Sequence, residues 1–316
     1  MNSAEPRLSV LVVAYNSRDF IDDCLHSAMS GASKNEIEVL LVDNGQDGTA
    51  ELVAAHHPGV RIVAGRGNIG FAAANNLLAS EARGRFLLLL NPDMSLEEGA
   101  IDALLAGAER HDGAGAWGGV TVDADGTVDT GNAIAIPSLK EFASGALGRS
   151  LAGRERARSV EEDREVPVLS GAFLMIRRNL WEEIGGLDER FFLYCEEVDL
   201  CHRLRQRGLA LWQVARARGE HRAAHGATLS PRRLLLRTAG TVEFLRKHWS
   251  PWRRWIGTFL IWLAALERFL VGSTLGRGNR RLRELAHGYR DVALKPRLWM
   301  HGYDPVRGLM ARQGVQ

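Results

Sequence analysis

The chain has 316 residues, 46% of them hydrophobic, 25% charged and 7% aromatic, which supplies a large core and excludes both a disordered chain and a small disulfide scaffold. Its three cysteines, Cys24, Cys195 and Cys201, cannot all pair and form no CxxC, so a reducing compartment is expected. The formal net charge of +2 hides an acidic body and a basic tail: residues 1–150 hold 10 basic against 20 acidic side chains, residues 151–201 hold 7 against 12, and residues 202–316 hold 23 against 6.

The N-terminus has no basic stretch followed by an apolar one, so no signal peptide is expected. Leu8–Tyr15 is a continuous apolar run, the pattern of a strand buried on both faces. Asn16-Ser17 offers a cap for a helix over about 18–29. Ile37–Val42 is a second such strand, ends in Asp43-Asn44-Gly45, and leads to a helix over about 48–56. Val60–Ala64 reads as a third strand, Gly70–Ala82 as a helix, and Arg85–Leu90 as a fourth strand closed by Asn91-Pro92-Asp93. A helix over about 96–110 and a strand near Ala116–Val122 follow. This alternation predicts an α/β fold with a mostly parallel sheet flanked by helices. Ligands of such sheets bind at the carboxyl ends of the strands, where Asn16, Asp43, Asn44, Asn91 and Asp93 all fall.

Residues 123–165 break the rhythm. Asp123–Gly126 reads as a tight turn, and 143–165, rich in Gly, Ser and Arg and then acidic, as a mobile loop over a site. Strand-like sequence resumes at Val166–Arg177. A helix near 179–184, Gly185-Gly186, a helix over 196–207 stopped by Gly208, and a strand over Leu209–Ala215 come next. Beyond Pro231 the chain reads as all-helical. The expected division is 1–230 as one domain, with halves 1–122 and 123–230, and 231–316 as a basic amphipathic extension. No internal repeat is present.

Several clusters carry chemistry. Gly65-Arg66-Gly67-Asn68-Ile69-Gly70 is a GxGxxG that follows a strand and opens a helix, with Asp93 further on. That context suits a dinucleotide, and an NAD(P)-dependent oxidoreductase is the alternative it raises. Two strand–helix units precede it, however, whereas the fingerprint usually occupies the first strand–helix turn. Asp43-Asn44 reads either as a turn signal or as a carboxylate placed to accept from a nucleobase N–H. Asn91-Pro92-Asp93 reads either as a helix-start turn or as oxygen ligands for Mg²⁺ or Mn²⁺ shared with substrate phosphates. Glu196, Glu197 and Asp199 are either an acidic first helical turn or a cluster whose mutual repulsion raises one pKa towards that of a general base. His221 and His225 have the i,i+4 spacing of a metal pair, but no third His or Cys ligand stands close by, so zinc is not expected.

Taken in order, VVAYNS (12–17), VDNG (42–45), NIGFAAANN (68–76), LLLLNPDM (87–94), LSGAFLMIRR (169–178) and GGLDERFFLYCEEVDLCHRLRQRG (185–208) resemble the family 2 glycosyltransferases of the GT-A fold, in the branch of bacterial rhamnosyltransferase-like enzymes. The resemblance covers about residues 8–230. It implies transfer of a sugar from a nucleotide-sugar, a dTDP- or UDP-sugar, to an acceptor hydroxyl with inversion; a non-catalytic nucleotide-sugar-binding scaffold is the other alternative. By resemblance, Ala14, Tyr15 and Asn16 line the nucleotide pocket, Asp43 meets the base, with Asn44 beside it, and Asn68, Gly70 and Asn75 lie beside nucleotide and ribose. Asn91 and Asp93 stand where the family carries a DxD-type motif, so Asp93 is the expected Mg²⁺ or Mn²⁺ ligand. The family's base is the Asp of a Glu-Asp pair. Here the pair is Glu196-Glu197, which puts Glu197 at the base position and leaves Glu196 and Asp199 as alternatives. His221 or His225 matches a histidine that approaches the diphosphate.

The tail has its own signal. Trp252–Gly272 contains an apolar stretch from Trp255 to Leu266, bounded by Arg253, Arg254, Glu267 and Arg268. Trp252, Trp255 and Trp262 suit a membrane interface. The reading is a helix lying on an anionic leaflet, the inner face of the cell membrane, in a cytoplasmic enzyme acting on a lipid-linked saccharide. A packed or homodimer helix is the other reading, and nucleic-acid binding has no motif to support it.

Overall fold

The computed structural model describes residues 5–32, 37–123, 126–128, 135–148, 160–222 and 230–312. These residues form two compact units. The first is drawn from 1–136, 156–188 and 197–225, and the second from 137–155, 189–196 and 226–316.

The first unit carries a nine-stranded sheet. Strands β1 (Leu8–Ala14), β2 (Ile37–Asp43), β3 (Val60–Ile62) and β4 (Phe86–Leu90) make a parallel block in the order β3-β2-β1-β4. All residues of β1 and β4 are buried, as their unbroken apolar sequences require. The other strands are β5 (Met94–Leu96), β6 (Ala116–Val122), β7 (Arg164–Glu165), β8 (Phe173–Arg177) and β9 (Leu211–His221). β8 runs antiparallel between β4 and β6, β6 pairs parallel with β9, and β5 and β7 both pair antiparallel with β9. Helices α1 (Ile21–Ser30), α2 (Thr49–His56), α3 (Phe71–Glu81), α4 (Ala100–Arg110), α6 (Arg178–Ile184) and all but the first residue of α7 (Glu196–Gln206) belong to this unit, and the short α5 (Leu139–Ala146) to the other.

Two expectations change. β9 does not stop near Ala215 but continues to His221, with a register shift against β6 between Gly118 and Val120. The expected loop 143–165 begins inside α5 and ends in β7, while 149–159 lies outside the described residues.

The second unit is helical: α5, α8 (Pro231–His248), α9 (Pro251–Leu275), α10 (Arg280–Leu294) and α11 (Leu309–Arg312). Ser230 caps α8 by accepting from Arg233 N–H at 3.2 Å, with Pro231 at the first helical position. α9 and α10 form an antiparallel hairpin. Trp262 Nε1 donates to Ala293 C=O at 3.0 Å near its open end, and Gly272 abuts Leu282 and Ala286 near the turn. Phe192, Leu235, Val242, Ala265, Val292, Trp299 and Tyr303 form this unit's core, against which Ile261 and Trp262 pack. Trp262 therefore faces inward, unlike Trp252 and Trp255, which are exposed.

Candidate active site

Where β1 and β2 end side by side, Asn44 N–H donates to Ala14 C=O at 2.8 Å. Tyr15 and Asn16 follow β1 and are exposed, and Asn16 takes a left-handed backbone (φ 52°) that short polar side chains tolerate. Gly45 is pressed onto this corner: a Cβ there would lie 2.6 Å from Asn16 N. Asp43 accepts from Gly45 N–H at 2.7 Å on one oxygen and from Ala50 N–H at 3.1 Å on the other. Each oxygen keeps a further lone pair for a ligand donor.

The third loop joins the same corner. Asn68 Oδ1 accepts from Gly70 N–H at 3.2 Å, and Asn44 Nδ2 donates to Gly70 C=O at 3.1 Å. Gly67 and Gly70 have φ of 73° and 86°, so the glycines are needed to turn the chain into α3. Asn75, one turn into α3, is 1% exposed and donates to Phe71 C=O at 3.0 Å. Asn44 Oδ1 and Asn75 Oδ1 are buried without a hydrogen bond from the described residues, which is unusual for native amides. The GxGxxG thus completes a corner begun by β1 and β2, instead of forming a first strand–helix turn.

The Asn91 motif closes β4. Asn91 N–H donates to Ala172 C=O at 3.0 Å, and Cys24 Sγ donates to Asn91 C=O at 3.3 Å. Burial, followed by the negative charge of Asp93, pushes the Cys24 thiol far above its ordinary range, so it stays a neutral donor. β5 then pairs Met94 with His221, which brings His221 Nε2 to 3.3 Å from Asp93 Oδ1. Arg222 N–H donates to Asp93 C=O at 2.9 Å. His221 and Asp93 therefore meet because β9 extends, and His225 lies outside the described residues.

Among the described residues no group of three or more His, Cys, Asp and Glu is placed to hold a metal ion. Asp93 and His221 supply one carboxylate and one imidazole. That set fits Mg²⁺ or Mn²⁺ only if most ligands come from a bound diphosphate and water.

The carboxylates of α7 differ in surroundings. Asp199 is 0% exposed and accepts from Arg203 Nε at 2.7 Å. Arg203 also donates to Ile184 C=O at 2.9 Å and Gly186 C=O at 2.7 Å, which fixes the Gly185-Gly186 turn. Glu196 is buried, at 4% exposed, and Glu197 is half-buried. Glu197 Cβ is 3.5 Å from where a Cβ on Gly171 would lie, and Phe71 Cε1 is 3.6 Å from that same point. The segment Gly171-Ala172 thus lies beside Glu197 and the start of α3 and, through the Ala172 carbonyl, is bonded to the Asn91 motif. Sequence reasoning did not single out Gly171, Arg203 or Asn76. The last of these exchanges two hydrogen bonds with the Leu187 backbone, at 2.8 and 3.0 Å, and its only signal is adjacency to Asn75.

Comparison with known proteins gives this constellation a context. The model of "Glycosyl transferase family 2" matches residues 9–185. The chain is 33% identical over 305 residues to an N-acetylglucosaminyl-diphospho-decaprenol L-rhamnosyltransferase of Mycobacterium tuberculosis, covering 89% of this chain and 98% of that one. It is 22% identical over 223 residues to rhamnosyltransferase WbbL of Escherichia coli, covering 68% and 83%. The fold is similar to that of the mannosyltransferase PcManGT from Pyrobaculum calidifontis, solved with GDP-Man and Mn²⁺, with a TM-score of 0.56 at 18% identity over 98% of this chain and 88% of that one. The protein therefore belongs to glycosyltransferase family 2, an enzyme of the GT-A fold in the rhamnosyltransferase-like branch.

Proposed function

We propose that the enzyme transfers rhamnose from dTDP-rhamnose to a hydroxyl of a lipid-linked saccharide, with inversion, at the cytoplasmic face of the membrane. The observation that carries this reading is the 33% identity to an L-rhamnosyltransferase of a diphospho-decaprenol acceptor, which extends over 98% of that protein.

The residues divide the task. The corner formed by Ala14, Tyr15, Asn16, Asp43, Asn44, Asn68, Gly70 and Asn75 holds the nucleotide, with Asp43 accepting from the pyrimidine and the buried Asn44 and Asn75 oxygens receiving donors that come with it. Asp93, with Asn91 of the same motif, would hold Mg²⁺ or Mn²⁺ together with the donor diphosphate, and the ion would supply positive charge to the diphosphate leaving group. His221 donates towards the same diphosphate. Glu197 accepts the proton of the acceptor hydroxyl as its oxygen bonds to the anomeric carbon and the bond from that carbon to the diphosphate oxygen breaks. Asp199 is committed to Arg203 and has a supporting role.

The test is turnover with dTDP-rhamnose and a lipid-diphospho-N-acetylglucosamine acceptor, read as a rhamnosylated lipid by mass spectrometry. A product formed only with another nucleotide-sugar would overturn the donor assignment. Binding of donor without any product from a panel of lipid-linked acceptors would overturn the acceptor assignment and favour a scaffold.

A further inference from the structure

In the helical unit one row of α9 side chains is largely exposed. Side chains three, four and seven residues apart share a helix face. Gly257, Ala265, Arg268 and Gly272 form the buried row of α9. The opposite row carries Trp252, Trp255, Ile256 and Phe259, which are 62%, 61%, 44% and 55% exposed, and Leu270 at 50%. Half-buried Leu263 continues the row between Phe259 and Leu270, whereas Leu266 packs against the core. A surface helix ordinarily turns charge outward; this one turns aromatic and aliphatic groups outward along 252–259 and again at Leu270. Ten of the twelve large hydrophobic side chains exposed among the described residues belong to this unit.

By length and composition α9 is apolar enough to cross a membrane. Its inward row argues against a span. A Cβ on Gly272 would come within 2.4 Å of Leu282 C=O, so α9 and α10 are in close contact there. Arg268, 7% exposed, donates to Ala264 C=O at 2.7 Å and Gly145 C=O at 3.3 Å, and lies 5.5 Å from the centre of the Tyr289 ring. A spanning α9 would lose these partners and carry a guanidinium into hydrocarbon, which is costly. Lying flat keeps every one of them.

Charge identifies the surface that would cover the row. Residues 231–316 hold 17 basic against 5 acidic side chains. Arg253 is exposed beside Trp252, with its guanidinium 4.9 Å from the Trp249 ring centre, and α10 exposes Arg280, Arg281, Arg283 and Arg290. Indole rings favour the headgroup level of a bilayer, and arginines favour anionic headgroups.

We propose that α9 lies in the plane of an anionic lipid bilayer with Trp252, Trp255, Ile256 and Phe259 inserted at the headgroup boundary. The purpose of this attachment, keeping the enzyme beside a lipid-borne acceptor, rests on the proposed function; the attachment itself needs no acceptor. The full chain should float with phosphatidylglycerol–phosphatidylcholine vesicles and much less with phosphatidylcholine alone. Binding should weaken but persist as salt rises and the screening length falls from about 10 Å at 0.1 M to about 3 Å at 1 M. Tryptophan emission should shift to the blue on binding. The combined variant W255S/I256S/F259S should keep its melting temperature and its transfer to a water-soluble acceptor analogue, and should lose at least about 100-fold in vesicle partitioning. Unchanged flotation of that variant would overturn the proposal, as would resistance of the bound wild type to alkaline carbonate extraction, which indicates a span. A wild type that ignores anionic vesicles and forms a dimer dissociated by the variant would overturn it in favour of a second copy of the chain. Flotation without transfer to lipid acceptors would instead count against the proposed function alone.

Discussion

Three carboxylates within four residues of α7 have different neighbours, and the difference predicts different variants. Asp199 is fully buried and ion-paired with Arg203, whose other donors hold the carbonyls of Ile184 and Gly186. Asp199→Asn leaves a half-buried guanidinium, 17% exposed, without its counter-charge, so it should cost stability, less than the about 3–5 kcal/mol of a fully buried pair, read as a lower melting temperature. Glu197→Gln should melt with the wild type, bind donor as well, and lose transfer by about 10²–10⁴-fold. If Asp199→Asn melts normally yet abolishes transfer while Glu197→Gln stays active, the two roles are exchanged. Asp93→Asn should melt normally and lose most turnover, together with the extra thermal stabilisation that Mn²⁺ adds to dTDP, because an amide is a poorer ligand for a hard cation. Turnover unaffected by this change and by EDTA would remove Asp93 from the metal site. Asp93 was legible in the sequence as a polar residue closing a buried strand. Its pairing with His221 was not, because it depends on the three-residue β5, which is too short to show any periodicity.

Glu38 on β2 fastens the start of β4 to the centre of the sheet. It accepts from Ser9 Oγ on β1 at 2.6 Å and from Arg83 N–H at 2.6 Å, and is ion-paired with the Arg83 guanidinium at 2.9 Å. Burial alone would raise its carboxyl pKa, but these donors outweigh burial and hold it below the usual range. A depressed native pKa adds stability that is present above the unfolded value, about 4.3, and is lost as pH falls through the lower native value. Glu38→Gln should therefore lower the melting temperature at pH 7 and make progressively less difference below about pH 4; an equal deficit at every pH would show that the loss is packing and not charge. In the helical unit, Gly240 of α8 faces the turn before α7. A Cβ there would lie 2.3 Å from Tyr194 C=O, in a turn where Tyr194 and Cys195 already hold φ of 70° and 72°. Gly240→Ala should destabilise by about 1–3 kcal/mol in a denaturant melt, since neither the helix nor a left-handed turn can shift freely. Long apolar runs such as β1 and β4 were readable because both faces are buried. The second half of β9 was missed for a physical reason. Ala215-Arg216-Ala217-Arg218-Gly219-Glu220 does alternate between buried and more exposed positions, but its buried members are alanine and glycine, which carry little hydrophobic signal.

At the scale of the whole molecule the acidic and basic halves of the sequence fall largely into different units. The residues proposed to carry the chemistry, from Ala14 to Asp93 with Glu197 and His221, all lie in the first unit, whereas the exposed apolar row lies in the second. The charge asymmetry itself was legible in the sequence. The inclusion of 137–148 and 189–196 with the C-terminal helices was not, because those segments are chosen by tertiary contacts that no local pattern encodes. If the two units serve donor and lipid separately, each ligand should protect its own set of amides from hydrogen exchange in the intact chain. A ligand at 100 times its dissociation constant stabilises the form it binds by about 2.7 kcal/mol, enough to slow exchange through the corresponding openings about 100-fold. dTDP with Mn²⁺ should therefore slow amides at 14–17, 43–50, 68–75 and 91–94 and leave α9 nearly unchanged. Anionic vesicles should do the reverse for amides in the first half of α9, where Trp255, Ile256 and Phe259 are exposed. Residues of α9 have backbone partners already, so the vesicle effect should appear as fewer openings of an existing helix and not as new helix in circular dichroism. Protection of 252–259 by nucleotide alone, or of 68–75 by vesicles alone, would show that the two surfaces are energetically coupled, and the separation of roles would have to be given up.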